Sequence, residues 1–206
     1  MTDPDPYIQT WEERYALPGY LYGSAPNRFL AAQAHLLRPG MHALAVADGD
    51  GRNGVWLAEQ GLRVLSVDRS PLAIEKAAAL AASRGVTLET EVVDLFQWRW
   101  PVATFDVVVS IFFHLASPRR EAMHARMVRT LRPGGRLILE AFTKRQLQFA
   151  SGGPRDLEAL YSAEELQADF ADLEIERLDE AETELDEGAF HQGPAALIRL
   201  VARKPS

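Results

Sequence analysis

Apolar and polar positions along this chain fall into two alternating rhythms. Short apolar runs bounded by turn residues predict strands over His42–Ala47, Arg63–Val67, Phe105–Ile111, Arg136–Phe142 and Ala195–Ala202. Val86–Val93 alternates instead, with Val86, Leu88, Thr90 and Val92 set against Thr87, Glu89 and Glu91. The strand from Leu173 to about Leu185 begins the same way. Helical spacing separates most of these runs. Phe29, Leu30, Ala34 and Leu37 share a face over Asn27–Leu37, and Arg38-Pro39-Gly40 ends that helix. A second helix covers Asn53–Gln60. Ser70 then caps a helix that opens on Pro71 and runs to about Arg84. Ser117 and Pro118 repeat that start, with Met123, Met127 and Leu131 on one face. Ser162 and Glu165 form a capping box for a helix ending near Phe170. Met1–Thr10, with two prolines and two aspartates, is expected to be disordered.

Strand-helix alternation predicts an α/β protein whose parallel sheet is covered on both faces. The helix-free connection Asp186–Pro194 makes the last strand antiparallel to its partner. The nearly all-apolar strands one, four, five and seven suit the middle of a sheet. The glutamate-bearing strands three and six suit its edges. The expected order is therefore 3-2-1-4-5-7-6 in a single compact domain.

Composition narrows the chemistry. With no cysteine among 206 residues, disulfides, thiolate metal sites and a cysteine nucleophile are excluded. No metal site is expected. The balance of 22 basic against 29 acidic residues, −7 overall, argues against a nucleic-acid partner. The longest strongly apolar run, Val107–Phe113, is far short of the roughly 20 residues a membrane span needs. The first residues do not read as a signal peptide, so a cytoplasmic location is expected.

Gly49-Asp50-Gly51-Arg52-Asn53-Gly54 is a G-x-G-x-x-G that follows a strand and opens a helix, and Asp68 ends the next strand. This is a nucleotide-binding pattern in which the acid receives ribose hydroxyls. Charge bears on which nucleotide. A pyrophosphate on the helix start would meet Asp48 and Asp50, whereas S-adenosyl-L-methionine carries a sulfonium and an amino group and no phosphate. A nicotinamide-dependent oxidoreductase remains the alternative. Asp94-Leu95 ends the third strand, where the acid suits an adenine amino group and Leu95 or Phe96 its ring.

Ala47–Asn53, Val67–Ser70, Asp94-Leu95, Phe105–Val108 and Leu131–Gly135 resemble, in order and spacing, the class I S-adenosylmethionine-dependent methyltransferases. Tyr22–Asn27, Gly51–Asn53, His114-Leu115 and Glu187–His191 look like the small bacterial TehB-type and thiopurine methyltransferases. The resemblance implies the three-layer Rossmann-like fold with the strand order above. It implies donor contacts from Asp48, Gly49, Asp50, Gly51, Asn53, Asp68, Arg69, Ser70, Asp94, Leu95 and Ser110. It also implies that residues 1–39 form a lid over a donor-binding domain at 40–206, with Arg14 on the donor carboxylate and Tyr22 facing its sulfonium. Ala45 and Ala47 stand where the family carries an acid and a glycine, which keeps a non-catalytic donor-binding protein as a further alternative. His114, at the end of strand four, and His191 and Glu187, on the last hairpin, are the candidate bases. His124 is expected at the surface. The acceptor is expected to be a small molecule, a thiol, metalloid oxyanion or similar soft nucleophile, and the protein a monomer or homodimer.

Overall fold

The computed structural model describes residues 6–206. It contains one seven-stranded sheet of order β3-β2-β1-β4-β5-β7-β6, as the strand patterns predict. The strands are β1 (His42–Val46), β2 (Arg63–Asp68), β3 (Glu89–Val92), β4 (Phe105–Ile111), β5 (Leu131–Phe142), β6 (Glu174–Asp186) and β7 (Gln192–Arg203). β7 is antiparallel to both β5 and β6, and the other pairings are parallel. The helices are α1 (Pro6–Tyr15), α2 (Arg28–Ala32), α3 (Arg52–Glu59), α4 (Pro71–Arg84), α5 (Arg119–Thr130) and α6 (Ala163–Asp169).

Because successive strand residues point to opposite faces, the central strands feed two cores. Leu44, Val46, Val108, Leu137 and Leu139 join Met123 and Met127 of α5 and Leu166 of α6. Ala43, Ala45, Val107, Val109 and Ile138 meet Phe29 and Leu30 of α2 and Leu57 of α3 on the other face. Ala45 is thus a core residue, its methyl buried where the family places an acid.

Several expectations change. The disorder expected for Met1–Thr10 gives way from Pro6 onward to helix α1, while Met1–Asp5 lie outside the described residues. The helix foreseen over Asn27–Leu37 is a five-residue α2 capped by the Asn27 side chain, followed by a 3-10 turn at Ala34–Leu36. β3 keeps only four of its expected residues, and these are mostly exposed, as suits a sheet edge. Ser117 caps nothing: α5 begins at Arg119, and the Ser117 hydroxyl donates to Glu121 at 2.6 Å. His124 is buried, not superficial, with Nδ1 2.7 Å from Asp169, whose other partner is Arg120. The Ser162–Glu165 capping box and the Ser70 cap form as predicted.

Candidate donor and acceptor site

The glycine loop leaves β1 at the carboxyl edge of the sheet, the edge where ligands of parallel sheets bind. Its backbone is left-handed at Ala47 (φ 50°), Gly49 (φ 61°) and Gly51 (φ 86°). Ala47 therefore holds a conformation that glycine adopts without penalty.

Each acid of the loop has an internal partner. Asp48 turns into the fold and accepts from the Ser66 hydroxyl at 2.8 Å and from Gly54 N–H at 3.1 Å. A Cβ on Gly54 would stand 2.4 Å from the same carboxylate, so only glycine fits there. Burial pushes Asp48 up to about 7. Asp50 is buried and accepts from Leu21 N–H at 3.0 Å, tying the N-terminal segment to the loop. Asp68, at the end of β2, accepts from Gly49 N–H and Ser70 N–H, both at 2.9 Å. Burial, first of all, raises the pKa of both Asp50 and Asp68. Asp94 accepts from Phe96 N–H and the Gln97 amide, with Arg69 3.9 Å away. Leu95 is spent on the core, and Phe96 is the half-buried ring, under the Arg119 guanidinium. Ser110 is buried in β4 between Val46 and Leu139.

The N-terminal segment lies across this loop. Tyr15 is buried, and a Cβ on Gly49 would stand 2.4 Å from its hydroxyl. Burial, then the charges of Asp68 and Asp50, hold that hydroxyl protonated well above the ordinary tyrosine range. Arg14 instead faces outward, its guanidinium 4.9 Å from the Trp11 ring. Lys76 on α4 clamps the following turn through the carbonyls of Leu17 and Gly19 at 2.6 and 2.7 Å.

A buried polar network then joins five parts of the chain. Arg52 Nη2 is 2.8 Å from Glu187 Oε2, and Arg52 Nη1 donates to the Tyr22 carbonyl at 3.2 Å. The Asn27 amide donates to Glu187 at 3.1 Å and to Glu140 at 2.5 Å. Glu140 also receives Arg199 Nε at 2.7 Å, and Asn27 N–H reaches the Asn53 side chain at 3.0 Å. Glu187 is thereby spent on an ion pair with Arg52 and a hydrogen bond from Asn27. Arg52, Asn27, Glu140 and Arg199 escaped the sequence reading. Glu140 had a legible signal, a lone acid inside an otherwise apolar central strand.

The candidate histidines part company. His114 Nδ1 lies 2.8 Å from the Ala159 carbonyl, and Phe142 N–H donates to Nε2 at 3.2 Å. One nitrogen carries the proton and the other accepts, so no lone pair is left for a substrate. Burial pushes this ring down to about 4. His114 is thus tied to two backbone groups just past the end of β4. His191 is 4% exposed, wedged among Tyr22, Phe112 and Phe142 with ring centroids 4.4, 4.5 and 5.3 Å away. Burial, then Arg52, pushes it down to about 3.

Residues 43–135 match the methyltransferase-domain family. A cypemycin N-terminal methyltransferase from Streptomyces is 29% identical over 163 residues, 76% of this chain and 64% of that one. The chain spans 43% of the length of the uncharacterized mycobacterial relatives it matches at 30% identity. Among solved structures, TehB from Haemophilus influenzae superposes with a TM-score of 0.70 at 18% identity, over 96% of this chain and 66% of that one. The N-methyltransferase NodS from Bradyrhizobium japonicum, in complex with S-adenosyl-L-homocysteine, gives 0.71 at 17% identity, over 98% and 100%. With the sheet order and the glycine loop, these matches show a methyltransferase domain at residues 43–135 and, over the whole chain, the fold of the class I S-adenosylmethionine-dependent methyltransferases. Within that class its fold is TehB-like.

Proposed function

We propose that this chain binds S-adenosyl-L-methionine across the glycine loop and methylates a small-molecule acceptor beside it. The observation that carries the reading is the negative cradle under Tyr15, where Asp50 and Asp68 flank Gly49 and aromatic rings lie above. Such a cradle fits a donor with two cationic centres and no phosphate. It opposes the pyrophosphate of a nicotinamide cofactor.

The donor, when bound, supplies a methyl group made electrophilic by its positive sulfur. Asp68 is the residue set to receive ribose hydroxyls, and Asp94 with Phe96 the pair set to receive adenine. Methyl transfer rests mainly on alignment and exclusion of water. The protein's share of that is a closed strap, Leu21–Asn27, and a hairpin held down by Glu187. His114 and Glu187 are engaged by other groups and are not poised to remove a proton. The acceptor class that fits is a small neutral molecule attacking through a lone pair. The guanidinium groups of Arg28, Arg52 and Arg199 are already paired with carboxylates, which disfavours an oxyanion.

Calorimetry with S-adenosyl-L-homocysteine and with NADH tests this reading. We expect micromolar binding of the first and none of the second. Tight NADH binding, or no binding of S-adenosyl-L-homocysteine at millimolar concentration, would overturn it. Asp68→Ala is expected to weaken S-adenosyl-L-homocysteine by roughly 1–3 kcal/mol, the scale of a hydrogen bond to a charged group.

A further inference from the structure

We propose that His191 Nδ1 is the recognition atom of an acceptor pocket, and that the acceptor is an uncharged planar ring bearing one O–H or N–H donor. The proposal rests on the methyltransferase reading above and deepens it.

The starting observation is an orphan. His191 is 4% exposed, and its Nδ1 is buried without a hydrogen-bond partner among the described residues. Leaving a buried polar atom unmatched costs about 1–3 kcal/mol, so such atoms are rare unless a ligand or water completes them. The ring itself is held firmly. A Cβ on Gly152 would stand 2.6 Å from His191 Cδ2, so the loop backbone presses on one side. Phe112 and Phe142 meet it edge-on, and they stack on each other at 4.7 Å.

Phe112 adds a second, independent observation. It follows directly on β4 with φ at 55°, a conformation that costs a bulky side chain energy. Its N–H donates to the Glu140 carbonyl at 2.8 Å, so β5 keeps it in place. The strain aims an aromatic ring at the carboxyl edge of the sheet, beside the glycine loop that β1 supplies next door.

The remaining wall is movable in kind. Tyr22 lies 4.4 Å from His191 on the N-terminal strap, and Phe190 lies 6.2 Å from Tyr22 and is 41% exposed. Both sit on connections and not in helices or strands. The Tyr22 ring occupies the place against His191 that a planar acceptor would take. The walls are aromatic, and the nearby charges, Arg52 with Glu187 and Arg199 with Glu140, neutralise one another. An aromatic slot with one neutral nitrogen selects a flat uncharged ring that donates a single hydrogen bond. The proton of His191 then resides on Nε2.

The test uses the full chain saturated with S-adenosyl-L-homocysteine and three related probes: 2-naphthol, 2-methoxynaphthalene, which lacks the donor, and 2-naphthoate, which is charged. Fluorescence titration is expected to show 2-naphthol binding at least tenfold tighter than either of the others. That preference is expected to vanish in His191→Phe. No preference in the wild type, or a preference for 2-naphthoate, would overturn the proposal. If S-adenosyl-L-homocysteine fails to bind while the naphthol preference stands, the donor reading falls and the His191 assignment survives. If His191→Phe does not fold, judged by circular dichroism, the wild type decides alone. In ¹⁵N-histidine spectra, 2-naphthol should shift the His191 Nδ1 resonance and 2-methoxynaphthalene should not. An Nδ1 resonance unmoved by 2-naphthol counts against the proposal.

Discussion

Ala47 shows how much one methyl group can matter at the scale of a residue. Its left-handed backbone, φ 50°, is where the family's loop carries glycine. An L-residue there costs roughly 1–2 kcal/mol, partly offset by the greater unfolded-state freedom of glycine. Ala47→Gly is therefore expected to stabilise the protein by about 1 kcal/mol, read as a rise in the urea midpoint at unchanged slope. Gly49→Ala is expected to do the opposite, since its Cβ would meet the Tyr15 hydroxyl and its φ of 61° disfavours a side chain. Loss of at least 1 kcal/mol and weaker binding of S-adenosyl-L-homocysteine should follow; an unchanged midpoint would mean that Tyr15 does not rest on the loop. At this scale the sequence was partly legible. The glycines, Asp68 and Ser70 announce themselves through spacing. The fate of His114 and Glu187 does not, because the atoms that engage them lie 45 and 160 residues away.

The strap Leu21–Asn27 and the β6–β7 hairpin behave at the scale of elements as one unit. Arg52 is their joint, with both its bonds made inside the protein. Arg52→Met leaves Glu187 buried and unpaired, which typically costs 3–5 kcal/mol. Adding Glu187→Gln should recover much of that loss. A double variant as unstable as the single one would show that Arg52 acts through packing alone. Sequence patterning found nearly every strand and helix of the domain, because burial imposes a period on each. It missed α1, whose stretch follows the breakers Pro4, Asp5 and Pro6, although Tyr7, Ile8, Trp11 and Tyr15 fall at helical spacing. It also overextended α2, which the Asn27 cap starts cleanly but which breaks after a turn and a half at Gln33.

Over the whole molecule, buried ionisable groups set opposing limits on stability. His114 and His191 are held neutral, down to about 4 and about 3 from an ordinary 6.5. Each contributes stability that is full above about 6.5 and is lost as pH falls toward its folded value. Asp48 is raised to about 7 from 3.8, so its contribution is full near pH 4 and is lost as pH rises through 7. Stability is thus expected to peak on the acid side of neutrality, at about pH 6. Denaturant midpoints measured from pH 4 to 9 check this. Asp48→Asn should remove a loss that runs between about pH 4 and 7, and so steepen the rise in stability through the acid range. The strand order was readable from the sequence at this scale because edge and centre differ in their tolerance of charge.

That tolerance has a consequence for how the molecule behaves in a crowd of its own copies. The outer strand β6 runs thirteen residues and carries Glu174, Glu176, Asp179, Glu180, Glu182, Glu184 and Asp186. An open edge of that length is a template onto which a second chain can add a strand. Two such edges approaching each other would set carboxylates within about 5 Å of carboxylates, and although several are paired with arginines, the excess of like charge would drive the edges apart. The guard is colloidal, and it is only as strong as its charge. Acid that protonates these side chains, or salt that shortens the Debye length to about 3 Å at molar strength, removes the repulsion while leaving the edge in place. Clumping of the native protein under those conditions, detected by light scattering before any loss of secondary structure, is the behaviour this edge foretells.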